Sequence, residues 1–228
     1  MTALPQRPEL VIFDCDGVLV DSEPVANAIL ARAITRLGYP VSVADTRAAF
    51  VGLSMAQIIP QVQHWIGRPV PEDWRANLQA ETYQAFRQDL SAVPGVRAVV
   101  AQIQAAKIAL CVASSGSPDK MELTLGLTRL RDFFGANLFS STMVTRGKPH
   151  PDLFLHAAAQ MGIAPNRAVV IEDSVPGVMG AKAAGMHVFA YTGDPESDLT
   201  GLVAAGGHIF TDMAQLPGLL GLQGQMGG

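Results

Sequence analysis

Cysteine is nearly absent: the 228 residues hold two, Cys15 and Cys111, each inside an apolar, strand-like run. Their spacing matches no zinc motif and offers no disulfide framework. They read as small buried thiols in a reducing compartment. Charge is also scarce, at 16% of residues with a net charge of −4. With no basic excess, nucleic acid and acidic membrane surfaces are not expected partners. No stretch is apolar enough to span a bilayer, since the longest, Val99 to Ala113, is interrupted by Gln102, Gln104 and Lys107. Residues 1–9 carry one arginine and no apolar run, so a secretory leader is not expected. No internal repeat is found. The expectation is a soluble, cytoplasmic protein, of undetermined oligomeric state and compatible with a monomer.

What is present is an apolar content of 49%, enough to bury a sizeable core in one or two domains. The chain is organised around Leu10-Val11-Ile12-Phe13-Asp14-Cys15-Asp16-Gly17. Four apolar residues suit a buried parallel strand, and the run ends abruptly in two carboxylates and a glycine. Acids at the carboxyl end of such a strand stand where open α/β sheets bind ligands. From Val25 to Leu90 only helical segments are expected, with Ser22 and Ser54 as N-caps and Pro60 as a kink or break. From Val96 strands and helices alternate: strands near 108–113, 138–140, 168–171, 188–190 and 209–210, separated by helices. This predicts an α/β fold, a Rossmann-like parallel sheet flanked by helices, with an inserted α-helical domain. The boundaries are residues 1–20 and 92–228 for the α/β core and 21–91 for the helical insertion. Placed after the first strand, the insertion suits a lid that excludes water and selects substrates. The glycine-rich end, Gly221 to Gly228, is expected to fray.

Three strand ends carry polar chemistry: Asp14 and Asp16, Ser114 and Ser115, Glu172 and Asp173. Lys148 lies in a proline-bounded loop between the last two. Aspartate is a nucleophile toward phosphoryl groups. Carboxylates hold Mg2+, which takes oxygen ligands and offsets phosphate charge. A serine hydroxyl and the N–H groups at a helix start cradle phosphate oxygens. Lys148 supplies a positive charge to the transferring group. Any one of these residues alone is as well explained by a turn, a cap or a solvated surface. Their joint placement is what points to phosphoryl transfer.

Four segments, Phe13-Asp14-Cys15-Asp16-Gly17, Ala113-Ser114-Ser115, Lys148-Pro149 and Ile171-Glu172-Asp173-Ser174, resemble in order the motifs of the haloacid dehalogenase superfamily phosphatases. The resemblance runs from Leu10 to about Leu216 and is to the β-phosphoglucomutase-like group with a helical cap. It implies a phosphoric monoester hydrolase with Asp14 as nucleophile and Asp16 as general acid/base. It implies phosphate binding by Ser114, Ser115 and Lys148. It also implies a Mg2+ site formed by Asp14, the Asp16 carbonyl and Asp173, with Glu172 as direct or water-mediated support. The implied partner is a small-molecule phosphate ester.

The acid at position 16 argues for phosphate-ester chemistry over dehalogenation. Two departures weigh against the alternative, a phosphomutase. Gly52-Leu53-Ser54-Met55 lacks the arginine that mutases use for a second phosphate, and Pro24-Val25-Ala26-Asn27 lacks their histidine. Met55 is read as core packing. The stretch Ser114 to Met121 resembles a subgroup acting on 6-phosphogluconate and related sugar phosphates. Asn27, Arg47, Gln57 and Gln61 are candidate substrate contacts in the insertion. A receiver-like phospho-signalling module is the alternative outside the enzymes.

Overall fold

The computed structural model describes residues 4, 6–50 and 55–222. Along the chain run β1 (Leu10–Phe13), β2 (Val20–Asp21), α1 (Glu23–Arg36), α2 (Val43–Phe50), α3 (Met55–Ile66), α4 (Trp74–Asp89), β3 (Ser91–Ala92) and α5 (Val96–Ala105). There follow β4 (Ala109–Ser114), α6 (Pro118–Leu127), α7 (Arg131–Phe134), β5 (Leu138–Ser140), α8 (Asp152–Gln160), β6 (Ala168–Glu172) and α9 (Val175–Ala183). The last elements are β7 (His187–Tyr191), α10 (Leu199–Ala204), β8 (His208–Phe210) and α11 (Leu216–Leu219). The chain divides into two compact units, Met1–Asp21 with Ala92–Gly228, and Ser22–Ser91.

The first unit is the expected α/β fold. Six strands, in the order β5-β4-β1-β6-β7-β8, form a wholly parallel sheet. Alternation along β1 buries both of its faces. Leu10 and Ile12 enter a cluster with Leu153 and Phe154 of α8 and Val178 of α9. Phe13 turns the other way and meets Phe134 of α7 edge-on, with ring centroids 6.2 Å apart. A strand covered on both faces has no polar positions, which is why LVIF lacks the alternation of a half-exposed strand. Cys15 and Cys111 are buried free thiols.

The second unit is helical. Ile29, Ala33 and Ile34 of α1 pack with Phe50, Ile58, Val62, Trp74 and Leu78. Trp65 lies between Tyr39 and Phe50, at centroid distances of 5.0 and 4.9 Å. Met55 packs against the same cluster, as expected of an apolar residue. Pro60 does not break α3, which continues to Ile66. The proline gives α3 no backbone donor at that point. Ser22 occupies the N-cap position of α1 but its side chain makes no capping hydrogen bond, because its backbone is already helical. Gly52, Leu53 and Ser54, and the terminal residues 223–228, lie outside the described residues.

The sequence shows no strand between Asp21 and Leu90, yet residues on either side of that span pair. β2 and β3 form a separate two-stranded sheet, and Val93 N–H donates to the Leu19 carbonyl at 3.1 Å. Two-residue strands carry no periodicity, so no sequence pattern announces them. No described helix is long and apolar enough to cross a membrane.

Candidate active site

The sheet order places the polar strand ends side by side. β1 is flanked by β4 and β6, with Phe13 opposite Val112 on one side and Ile171 on the other. Asp14 is the first residue beyond β1, and its N–H still donates to the Ile171 carbonyl at 2.9 Å. Ser114 and Glu172 are the last residues of β4 and β6. All three are buried. The chain beyond Asp14 turns tightly, with Gly17 N–H donating to Val20 and Leu19 N–H to Cys15. Gly17 has φ +77°, and a Cβ there would collide with the Asp173 carboxylate. Glycine is required for both reasons, and Asp173 therefore lies directly over the turn that carries Asp14 and Asp16.

The chain builds the sheet outward on one side of β1 to β5, then crosses to β6 on the other side. That crossing connection delivers Lys148. Its Nζ donates to Asp14 Oδ1 at 2.5 Å and to Glu172 Oε1 at 2.6 Å, and its side chain is 5% exposed. The ring of Phe154 lies 5.3 Å from Nζ. Burial pushes the Asp14 carboxyl up to about 7; Lys148 opposes this, and the neighbouring Glu172 and Asp16 add to it. Burial acts on Lys148 in the opposite sense, but the attraction of Asp14 and Glu172 outweighs it and holds the ammonium above its usual range.

Glu172 is saturated by protein donors. Oε1 takes Lys148, while Oε2 takes the N–H groups of Asp173 and Ser174 and the Ser174 hydroxyl. A Cβ on Gly177, in the first turn of α9, would collide with this carboxylate. This fully buried carboxylate, with both oxygens engaged, ties Lys148 to the loop that follows β6. Ser174 also caps α9 through Gly177 N–H.

On the other side of β1, Ser114 Oγ accepts from Gly116 N–H at 3.0 Å. The loop is tied to the end of β5, since Ser140 donates to the Gly116 carbonyl and Ser141 to the Ser115 carbonyl. The Ser115 residue itself is exposed. Ser117 caps α6 by accepting from Lys120 N–H, as its position before Pro118 predicts.

One site residue escapes the sequence reading. Lys120 Nζ donates to Asp16 Oδ2 at 2.8 Å, with both side chains about one quarter exposed. Burial works against the Lys120 charge, but Asp16 more than compensates and raises its proton affinity. A signal was available: Lys120 sits in the first turn of α6, where the helix dipole disfavours a cation. A lysine there calls for a nearby acid.

The match to haloacid dehalogenase-like hydrolases covers residues 8–185, well over half of the chain. The 6-phosphogluconate phosphatase of Escherichia coli (strain K12) is 31% identical over 214 residues, covering 93% of this chain and 95% of that protein. Hexitol phosphatase B of the same organism is 31% identical over 186 residues, covering 80% of this chain and 83% of that one. Among solved structures, a HAD family hydrolase from Deinococcus radiodurans R1 with bound phosphate and sodium superimposes with a TM-score of 0.80. It is 28% identical, and the match covers 95% of this chain and 98% of that one. Sequence motifs, sheet order and these likenesses agree: the chain belongs to the haloacid dehalogenase-like hydrolases and is a phosphoric monoester hydrolase among them.

Proposed function

We propose that this enzyme hydrolyses small phosphorylated sugars or sugar acids, 6-phosphogluconate among them, through a phosphoryl group carried on Asp14. The observation that carries the reading is Lys148, buried and bridging Asp14 and Glu172 at adjacent strand ends. An ammonium held against a buried carboxylate is placed to meet the oxygens of a phosphoryl group arriving at that carboxylate. The substrate class is supported by the names of two relatives, a 6-phosphogluconate phosphatase and a hexitol phosphatase.

In the first step an Asp14 oxygen attacks phosphorus and the bond to the substrate oxygen breaks. The departing oxygen takes a proton from the Asp16 carboxyl, leaving the alcohol free and Asp14 phosphorylated. In the second step water attacks phosphorus and gives a proton to Asp16, and the bond to Asp14 breaks. Inorganic phosphate leaves and both acids return to their starting states. Ser114 Oγ, the loop N–H groups at Ser115 and Lys148 hold the phosphate oxygens.

The acids fit a hard divalent cation. Asp173 lies over the Asp14–Gly17 turn. Four carboxylates, Asp14, Asp16, Glu172 and Asp173, stand against two ammonium groups. Burial and neighbouring acids already raise Asp14, so a cation would favour its ionised form. Among the described residues no three side chains of His, Cys, Asp or Glu converge as a ready cage. Mg2+ does not need one, since it keeps waters and uses substrate phosphate oxygens. Asp14, Asp173 and the Asp16 main-chain carbonyl would hold it, with Glu172 behind. When bound, Mg2+ would offset the phosphate charge and let the anionic nucleophile approach.

The helical unit, Ser22–Ser91, is assigned the selection of substrate. Met55 offers no cation for a second phosphate, so hydrolysis is preferred to a mutase reaction. Phosphate release from 6-phosphogluconate, hexitol and hexose phosphates, with and without Mg2+, tests the whole reading. Asp14→Asn is expected to lower turnover at least about 10⁴-fold, in line with the loss of a catalytic nucleophile. Release from no ester by the folded wild type would sink it.

A further inference from the structure

We infer that Lys120 is a positioning residue for Asp16: it fixes one carboxylate oxygen so that the proton passes to and from substrate through the other. This inference rests on the phosphatase reading above. Three observations converge. Lys120 Nζ lies 2.8 Å from Asp16 Oδ2, across 104 residues of sequence. The lysine stands three residues beyond the Ser117 cap of α6, in the turn where a cation is least favoured by the helix dipole. A favourable partner offsets that placement, and Asp16 is that partner. Gly116 leaves room for the arrangement, since a Cβ there would stand 3.3 Å from Ser114 Oγ and 3.4 Å from Lys120 Cδ. The stem of Lys120 thus passes over the same loop that positions Ser114.

A carboxylate on a short side chain turns freely about its terminal torsion. Pinned at Oδ2, Asp16 presents Oδ1 in a restricted set of directions. In the first step Oδ1 carries the proton to the departing oxygen as the phosphorus–oxygen bond breaks, and the carboxylate that remains stays paired to Lys120. In the second step Oδ1 accepts the proton of the attacking water. Lys120 touches neither the phosphate nor the water in this scheme; it acts through Asp16.

The test uses departing groups that differ in their need for a proton. Nitrophenolate leaves 4-nitrophenyl phosphate readily as the anion, whereas phenolate is more basic and benefits from protonation. Release of the phenol is followed in a single turnover, which isolates the first step. Lys120→Met, close in size and neutral, is expected to slow phenyl phosphate at least about tenfold more than 4-nitrophenyl phosphate, a part of the ~10²–10⁴-fold that a placed acid supplies. Lys120→Arg, which restores a cation, is expected to narrow that ratio. Equal losses on the two esters, or an Arg variant no better than Met, would overturn the assignment. An inactive wild type on both esters overturns the phosphatase reading and this inference with it.

Discussion

The two units handle charge in opposite ways. In the α/β unit, Lys148 bridges Asp14 and Glu172, with side chains 5%, 11% and 0% exposed. In the helical unit, the pair Arg36–Glu81 spans two helices with side chains 56% and 40% exposed, and the interior is Ile34, Val62, Phe50 and Trp74. Paired ions gain less from burial than apolar side chains of equal size, because desolvation offsets their attraction. Among its described residues the helical unit keeps its ion pairs at least partly in water. Among the described residues, the α/β unit departs from that pattern at the carboxyl end of β1, which is the candidate site.

Mutations can break this contrast or sharpen it. The largest combined effect is expected from Lys148→Met. It removes the cation facing Asp14 and leaves Glu172 buried without its counter-charge. Loss of one partner of a buried pair costs about 3–5 kcal/mol, readable as a lower midpoint in urea unfolding, and phosphate release should fall to background. A variant that unfolds like wild type would show that the buried set is not strained by losing its cation, and the contrast would fail. Next comes Ile34→Ala in the helical unit. Truncating a fully buried isoleucine costs about 2–5 kcal/mol, but turnover of saturating 4-nitrophenyl phosphate should stay within about twofold, well under the effect of losing a catalytic group. A collapse of turnover in folded protein would mean that the helical interior supports the chemistry directly. The smallest change is expected from Arg36→Ala, under about 1 kcal/mol for an exposed pair. A drop comparable with Lys148→Met would erase the distinction between the units.

Much of this plan is readable in the sequence where burial dictates residue type. LVIF, ALCVAS and AVVIE are apolar because both sheet faces are covered, and each ends where polar chemistry begins. Asp14, Ser114 and Lys148 are legible as a set because the alternation of strands and helices fixes which ends share one edge. Other features depend on contacts that no local pattern records. Lys120 reaches Asp16 across 104 residues, most of them in the helical unit, and only its unfavourable place on α6 hints at a partner. Glu172 reads from its neighbour Asp173 as direct or water-mediated support for a metal, while its bonds to Lys148, Asp173 N–H and Ser174 are recorded by no local pattern. β2 and β3 are too short to alternate. Pro60 leaves break and kink open from sequence alone, and α3 runs on through it to Ile66.

The register of β1 also has a consequence for how the protein is made. Leu10 pairs with Ala109 on one edge and with Ala168 on the other. The central strand is therefore made before both of its neighbours and waits for the later of them. Through that interval four apolar residues and two open edges are presented to the cell, the kind of surface that invites wrong pairing during synthesis. The two carboxylates that follow travel with the strand and keep its end charged until Lys148 is made.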